Sequence, residues 1–587
     1  MQNNNQMDRN ILLFFLFSIV IFVIFGFLRP VQNAKKGKGK SESESKKVVK
    51  KITEKKKRSL NAINREKNLK MEKKEGEVKA ASEENIEDVL NLAEGENLPS
   101  KSELIETNLF KATLNNKGGK IISLKLKNYK IDNGDFFELI PPNFKDTPYF
   151  FLRFIVPENE KLEKFLNSVV YKISVKKKNG ETRVKFEYEK GSLKVFKELI
   201  FKKDSYWIDF KGEVKIGDKR VESYISTTPG LTKDQLFPRS RYDSPPTAFY
   251  YDGDVERVKN EEMKTKVAQD VYRGSFSWCG VETKYFAAIF LSKEDFKKIF
   301  VGHYKLSIAV EKENKDLFLP YVAVPVDGGF RLFMGPKSYK LLEDYGNNLE
   351  RLVDFGFFSF IAKPIYYSLI FTHNYVNNWG FCILIISFII TLALFPLRIK
   401  QLKSMKDLQK IQPKIKAIQA KYKGAKSVEE KQRMQAELAK IYKETGTSPL
   451  ATFGGCLPMI LQIPVFFAFY KLLYNTVELW RQPFIFWIKD LSTYDPTYII
   501  PILMGLSMIV QMRQTPNQMQ DKNTKMMSYI MPIALTVIFL NLSSGVLLYY
   551  FSSNVFSSAF QKIYEKISGI ETNPTSNKSK KVKKSKK

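Results

Sequence analysis

The alternation of apolar and polar positions changes character several times along the chain, and each change predicts a different kind of element. Residues 11–28, ILLFFLFSIVIFVIFGFL, run uncharged for about 18 residues and are followed by Arg29-Pro30 rather than a small-residue cleavage site. That predicts an uncleaved transmembrane signal anchor behind a polar stretch at 1–10, with a cleaved signal as the alternative. From 29 to 102 the chain turns to Lys, Glu, Ser and Asn with almost no aromatics. Such a composition cannot build a core and predicts a disordered charged tether. Between 103 and 340 the period becomes two. Segments 121–129, 169–178, 182–189, 193–201, 206–216, 284–291 and 318–326 alternate apolar with polar residues and are separated by Gly, Asn, Asp and Pro. Many antiparallel strands in one region predict a large β-sandwich.

Beyond the strands the period shifts to that of helices. Residues 350–377 read as an amphipathic stretch broken by Pro364, suited to lie along a membrane interface. NWGFCILIISFIITLALFPL (378–397) is about 20 residues without a charge, long enough to cross a bilayer. It runs directly into a lysine-rich segment whose apolar positions Leu402, Met405, Leu408, Ile411, Ile415, Ile418 and Tyr422 recur every three or four residues. With a second helix bearing Met434, Leu438, Ile441 and Tyr442, it predicts an antiparallel helical hairpin over 398–448. Further spans are expected at 457–479 and 498–512, joined by an aromatic loop at 480–497. After a polar turn at 513–525, the apolar stretch that follows is too long for one crossing, and Asn541–Gly545 divides it into spans at 526–542 and 543–564. A polybasic tail closes the chain at 565–587.

Charge orients these elements. Of 587 residues 95 are Lys or Arg and 62 are Asp or Glu, a net charge of +33 that calls for an anionic partner surface. The hairpin, the 513–525 turn and the tail hold most short-loop lysines, so the positive-inside bias places them, and both chain ends, in the cytoplasm. The lysine-rich tether breaks that bias, which is weak in long translocated regions, and the β domain then lies outside the cytoplasm. Chemistry is sparse. Cys279, Cys382 and Cys456 are far apart and lack metal-ligand spacing, and His303 and His373 are isolated. No catalytic residue, metal site or cofactor motif is expected, and no small-molecule substrate.

Inside the expected spans no acid lies deep, which argues against an ion-coupled transporter. Paired carboxylates on strand ends, as a carbohydrate enzyme would need, are missing too. Uncharged polar residues do recur at helical spacing: Ser387 and Thr391, Gln462, Ser507 and Gln511, then Tyr549, Tyr550 and Asn554. Either they supply ordinary hydrogen bonds between helices, or they line a hydrated groove. Lys471, toward the outer part of the span expected at 457–479, breaks this uncharged pattern and is expected to snorkel to the interface.

The segments NWGFCILIISFIITLALFPL, SMKDLQKIQPKIKAIQ, SPLATFGGCLPMILQIPVFFAFYKLL, VELWRQPFIFWIKDLSTYDPTYIIPILMG and SGVLLYYFSSN resemble the YidC insertases of the YidC/Oxa/Alb family. GGKIISLKLKNY, WCGVETKYFAAIF and GPK are similar to the periplasmic domain of its Gram-negative members. The resemblance implies a multi-domain membrane protein: an all-α six-helix transmembrane region plus an extracytoplasmic antiparallel β-supersandwich domain. It further implies a non-enzymatic insertase and chaperone in the inner membrane. A polar intramembrane groove, here carried by Ser387, Thr391, Gln462, Ser507, Gln511, Tyr549 and Tyr550, would take hydrophilic segments of nascent membrane proteins. Implied partners are the Sec translocon, the ribosome (rRNA phosphate through the basic tail) and anionic lipids. Two departures stand out. Thr391 occupies the position where the family usually has a groove arginine, and Ser543 stands where a proline often precedes Ser-Gly. Hydration rather than fixed charge is then what a groove at these positions would retain.

Overall fold

The computed structural model describes residues 99–131, 133–140, 151–227, 247–258, 270–310, 313–422, 424, 427–444, 457–514 and 522–568. The expected anchor at 11–28, nearly all of the tether and the lysine tail from 569 onward lie outside these residues.

The period-two region forms antiparallel sheets. A four-stranded sheet takes Ser102–Glu106, Phe110–Asn115, Lys120–Lys130 and Phe136–Glu138 in sequence order. A thirteen-stranded sheet runs through Asp270–Glu282, Phe286–Val310, Phe330–Pro336, Trp207–Ile216, Leu193–Lys202, Glu181–Lys190 and Lys172–Lys178. Its longest strand, Phe286–Val310, pairs with Asp270–Glu282 and also, in turn, with Phe330–Pro336 and Glu313–Pro325, so one strand serves three neighbours. The β-sandwich expectation holds, with the apolar positions of the central strands, such as Leu193–Lys202 and Phe330–Pro336, turned inward.

One inward position is a lysine. In Leu193–Lys202 the alternation buries Leu193, Val195, Lys197, Leu199 and Phe201. Lys197 Nζ donates to the carbonyls of Leu152 at 2.7 Å, Gly118 at 2.9 Å and Gly119 at 3.2 Å, and lies 4.1 Å from the centre of the Phe154 ring. Three acceptors match the three donors of an ammonium group. Burial nevertheless pulls the group well below the usual lysine range.

Nine α-helices are described: α1 (Glu160–Ser168), α2 (Tyr339–Tyr345), α3 (Ser359–His373), α4 (Trp379–Lys421), α5 (Val428–Glu444), α6 (Leu457–Asn475), α7 (Ile499–Gln514), α8 (Lys522–Phe539) and α9 (Ser544–Ser568). α3 runs through Pro364 rather than breaking there, and exposes Phe360 and Phe371. α4 begins where the Asn378 side chain accepts from the amides of Gly380 and Phe381. It continues unbroken through Pro396 and Pro413 into the basic segment, where Ile411 and Ile415 pack against Leu438, Ile441 and Tyr442 of α5. Among the described residues, one helical segment, Trp379–Lys403, is long and apolar enough to cross a membrane. Ile499–Gln514 and Tyr529–Phe539 are apolar but shorter, and α9 is diluted by serines. By length and composition, then, one of the six expected crossings has a matching helix among the described residues. Apolar residues lie on the outside as well as in the core, with Leu392, Ile502, Leu506, Ile533 and Val537 exposed, while the polar Ser387, Ser552 and Asn554 are buried among Ile383, Met504 and Leu547.

The sheets and the helices meet through aromatic packing and buried charge. Trp480, just after α6, has its ring 4.7 Å from Phe137, 5.4 Å from Phe286 and 5.9 Å from Tyr129. Beside it Glu478 accepts from the Ser338 hydroxyl at 2.7 Å and the Tyr366 hydroxyl at 2.8 Å. Glu282, fully enclosed, takes both Lys337 Nζ at 2.5 Å and Arg257, whose Nη2 also reaches the Leu352 carbonyl at 2.9 Å. Lys471 does more than snorkel: its Nζ pairs with Asp354 at 3.2 Å.

Two outcomes follow from this packing. Replacing Lys197 by Met leaves three enclosed carbonyls without a donor and should cost the β domain about 2–4 kcal/mol. In the folded state the lysine value is depressed, whereas the unfolded chain titrates near 10.4. The parent domain therefore gains stability as pH rises through that window, and the deficit of Lys197→Met should widen there; urea midpoints from near neutral to pH 10 test both. Trp480→Ala should weaken docking of the sheets on the helices by about 2–4 kcal/mol. Faster amide exchange at 129–140 in the intact protein would register it, and unchanged exchange would exclude Trp480 as an anchor.

Candidate functional site

α9 enters the bundle at a fixed point. The Ser544 hydroxyl and amide both donate to the Thr493 carbonyl, at 2.9 and 2.6 Å, and the Gly545 amide reaches the Leu491 carbonyl at 2.9 Å. A Cβ at Gly545 would approach that carbonyl oxygen to 3.1 Å, so a side chain there would push α9 away from the loop. Ser543 pairs with Tyr494 in an isolated bridge, which gives the position without its usual proline a role in the turn.

From this anchor α9 carries a polar stripe into the interior. Ser552, Ser553, Asn554, Ser557, Ser558 and Gln561 are all buried, spaced so that three- and four-residue steps return to one side of the helix. Ser553 is the hub. Its hydroxyl lies 3.3 Å from Gln462 Nε2 on α6 and 3.4 Å from the Thr391 hydroxyl on α4. Gln462 Nε2 also donates to the Tyr549 hydroxyl at 2.7 Å, and the Tyr549 ring stacks on Phe469 at 3.8 Å. One residue on, Asn554 Nδ2 donates to the Ser507 hydroxyl on α7 at 3.1 Å. Thus α9 ties three other helices together by hydrogen bonds.

The sequence-derived residues divide accordingly. Thr391, Gln462 and Tyr549 meet at Ser553, and Ser507 joins through Asn554. Ser387 is fully buried one turn from Thr391, but its hydroxyl returns to the Ile383 carbonyl of its own helix at 2.6 Å. Thr391 does the same toward the Ser387 carbonyl at 2.7 Å. Gln511 is half-buried one turn beyond Ser507. Tyr550 turns away from the polar residues, its ring 5.5 Å from Phe466 and 6.5 Å from Phe539. The residues that sequence reasoning passed over are Ser553, Ser557, Ser558 and Gln561. Their signal was present in SSNVFSSAFQ, a serine-rich run inside an apolar one.

Farther along, the stripe acquires charge. Arg398 Nη2 donates to Gln561 Oε1 at 3.3 Å, while Gln561 Nε2 donates to the Gln514 backbone carbonyl at 2.9 Å and to Glu565 at 3.0 Å. Arg398 is seven residues past Thr391 and so lies on the same side of α4, about two turns on.

Comparison with known proteins matches this division into sheets and helices. Residues 104–368 match the family described as YidC periplasmic domain, and residues 371–571 match the 60Kd inner membrane protein family. The membrane protein insertase YidC of Syntrophus aciditrophicus is 32% identical over 473 residues, covering 77% of this chain and 82% of that protein. Its counterpart from Geobacter sulfurreducens is 36% identical over 373 residues, covering 62% of this chain and 66% of its own length. Among solved structures, an active YidC insertase with its first transmembrane domain resolved aligns over 79% of this chain and 92% of its own, at 16% identity and a TM-score of 0.33. A periplasmic-type β-sandwich domain joined to a helical inner-membrane region, with relatives this similar over most of their length, means that the chain belongs to the YidC family of membrane protein insertases.

Proposed function

We propose that this protein is a membrane protein insertase and chaperone of the inner membrane, and that the polar interior around Ser553 is the path its clients use. The observation that carries the reading is a buried polar cluster inside a bundle whose outer faces are apolar. Uncharged polar side chains from α4, α6, α7 and α9 meet inside, while the outer faces of α4, α7 and α8 are apolar. An amide or hydroxyl moved into hydrocarbon without a partner costs several kcal/mol. Hydroxyls and amides at Thr391, Gln462, Ser507, Gln511, Tyr549 and Ser553 offer an incoming hydrophilic segment replacements for water. The client's apolar helix then partitions into lipid, gaining about 25 cal/mol per Å² buried. No hydrolysis is needed for such a step.

In this reading both termini and the α4–α5 hairpin are cytoplasmic, the β domain is periplasmic, and six helices cross, beginning with 11–28. Clients arrive from the ribosome alone or through the Sec translocon. Basic residues of the hairpin face anionic lipid, and the tail at 565–587 contacts rRNA phosphate.

Replacing Cys279, Cys382 and Cys456, installing Thr391→Cys and offering a hydrophilic maleimide from the cytoplasmic face should give rapid labelling. Labelling only in detergent would mean a dry bundle and would move the mechanism to the hairpin and the lipid-facing surface. Ser387→Ala combined with Thr391→Val should slow insertion several-fold, since apolar walls restore the cost of an unpaired polar group. Deleting residues 576–587 should weaken ribosome co-sedimentation, with a loss that shrinks as salt rises, because phosphate contacts are screened. Unaltered binding at low salt would remove the tail from the mechanism.

A further inference from the structure

In the loop between α6 and α7 and at its exit, Arg481, Phe486 and Tyr498 have φ between +52° and +56°. Glycine and asparagine accept this left-handed conformation, and bulky residues avoid it. Phe486 adopts it while 85% exposed. The loop around it is braced. The Phe484 amide donates to the Ile488 carbonyl at 3.0 Å, the Ile488 amide to Ile485 at 3.1 Å and the Leu491 amide to Gln482 at 2.9 Å. The Asn378 side chain donates to the Phe484 carbonyl at 3.1 Å. Asp490 accepts from the Arg481 amide at 3.2 Å and from the amide and hydroxyl of Ser492 at 2.8 and 2.7 Å. A phenylalanine is thus held outward at the tip of a fixed turn, and strain that its surroundings maintain points to what the tip meets.

Position decides what that is. Phe484 packs on the first turn of α4: its ring lies 5.3 Å from that of Phe381, and a Cβ at Gly380 would run into it. From there Phe381, Ile385, Phe388 and Leu392, three or four residues apart, are exposed down the outside of α4, the helix long and apolar enough to cross. Tyr498, exposed just before α7, heads a second stripe through Ile502 and Leu506. The loop lies on the β-domain side, since Trp480 at its start packs on Phe137 and Phe286. An exposed apolar surface of this extent marks a contact, and on the outside of an inner-membrane bundle that contact is with acyl chains. Ile485 and Phe486 carry the α4 stripe past the end of the helix. Lys489, exposed three residues on, adds a cation on a long apolar stem. Aromatic rings with a flanking lysine suit the boundary between hydrocarbon and headgroups.

We propose that the turn 483–489 is a lipid anchor: Ile485 and Phe486 enter the acyl-chain boundary on the β-domain side of the membrane, and Lys489 reaches the headgroup phosphates. The inference stands on α4 as a crossing helix and not on the path taken by clients. Lipid fits better than a second protein because the tip continues the outer stripe of α4 through Phe484 and Phe381. Burying a ring that would otherwise stand in water offsets the strain at Phe486, and a turn already braced loses little freedom on entering the bilayer.

The test uses full-length protein with Cys279, Cys382 and Cys456 replaced, one new cysteine carrying a nitroxide spin label, and vesicles of phosphatidylcholine and phosphatidylglycerol. Collisions of the label with oxygen, which dissolves among acyl chains, are compared with collisions with a water-soluble nickel chelate. The oxygen-to-nickel ratio at Phe486→Cys should exceed that at Lys177→Cys, exposed in the β domain, about tenfold, because hydrated complexes are excluded from hydrocarbon. Leu392→Cys on the outside of α4 gives the lipid reference, and Lys489→Cys should fall between the two. Ile485→Cys reports the same depth should the Phe486 variant fail to fold. A ratio at 485 and 486 equal to that at 177 would place the tip in water and overturn the inference. Few collisions with either reagent would overturn it in favour of a covering protein. A water-like ratio at 392 would refute the crossing by α4, and this inference with it.

Discussion

A hydroxyl or amide enclosed by methyl groups has to find its partner on a neighbouring helix, and this requirement organises the helical half of the molecule. Each hydrogen bond between helices in an apolar medium is worth on average only about 0.6 kcal/mol net. Leaving the same group unpaired costs roughly 1–3 kcal/mol or more. The asymmetry means that such groups specify geometry more than they supply stability. Ser553 accepts only an arrangement that brings both Gln462 and Thr391 within 3.4 Å, and Asn554 must meet Ser507 at the same time. With Ser544 pinned to Thr493, the axial position of α9 leaves little freedom, and α4, α6 and α7 take their places around it.

The sheets give this bundle a rigid shoulder. The buried Glu282 and Lys337, with the half-buried Arg257, sit where the last strand meets α2 and the segment before α3, and Glu478 ties Ser338 to Tyr366. Enclosed ion pairs rarely stabilise more than well-packed apolar groups would, because desolvation offsets the attraction. They do punish misdocking, since displacing one partner strands the other. Trp480 adds the apolar contact that those charges cannot supply, and through it the end of α6 is held to the β domain.

What could be read from the sequence follows from periodicity. Strands such as Glu181–Lys190 and Leu193–Lys202 alternate so regularly that their inward faces were legible residue by residue. Yet Lys197 falls on an inward position, and nothing local distinguishes it from the outward lysines; its acceptors come from residues 45 to 79 positions away. The uncharged run that opens α4 identified that helix directly. For α9 hydropathy was a weaker guide, because its buried serines, Asn554 and Gln561 are polar for reasons of packing. Helical spacing brought Tyr549 and Tyr550 forward together, though adjacent residues point about 100° apart and only Tyr549 reaches the polar interior. Lys471 read as a lone charge because its partner Asp354 is 117 residues distant.

The placement of charge carries the deepest consequence. At Thr391 the bundle offers only a hydroxyl, and its guanidinium sits two turns on, at Arg398. A charge in the middle of a hydrocarbon layer pays the largest desolvation penalty, and that penalty falls toward the ends of the span. Fixing the arginine near the end of the apolar part of α4 therefore keeps an electrostatic contact at lower cost to folding. The stretch around Ser553 stays neutral, its hydroxyls and amides paired with one another. Opposite charges gain most where screening is weakest, so a charge at mid-depth would hold any opposite charge hardest. The bundle thus holds its guanidinium near the end of the apolar run, against Gln561, and keeps a neutral interior around Ser553 in which hydroxyls and amides satisfy one another.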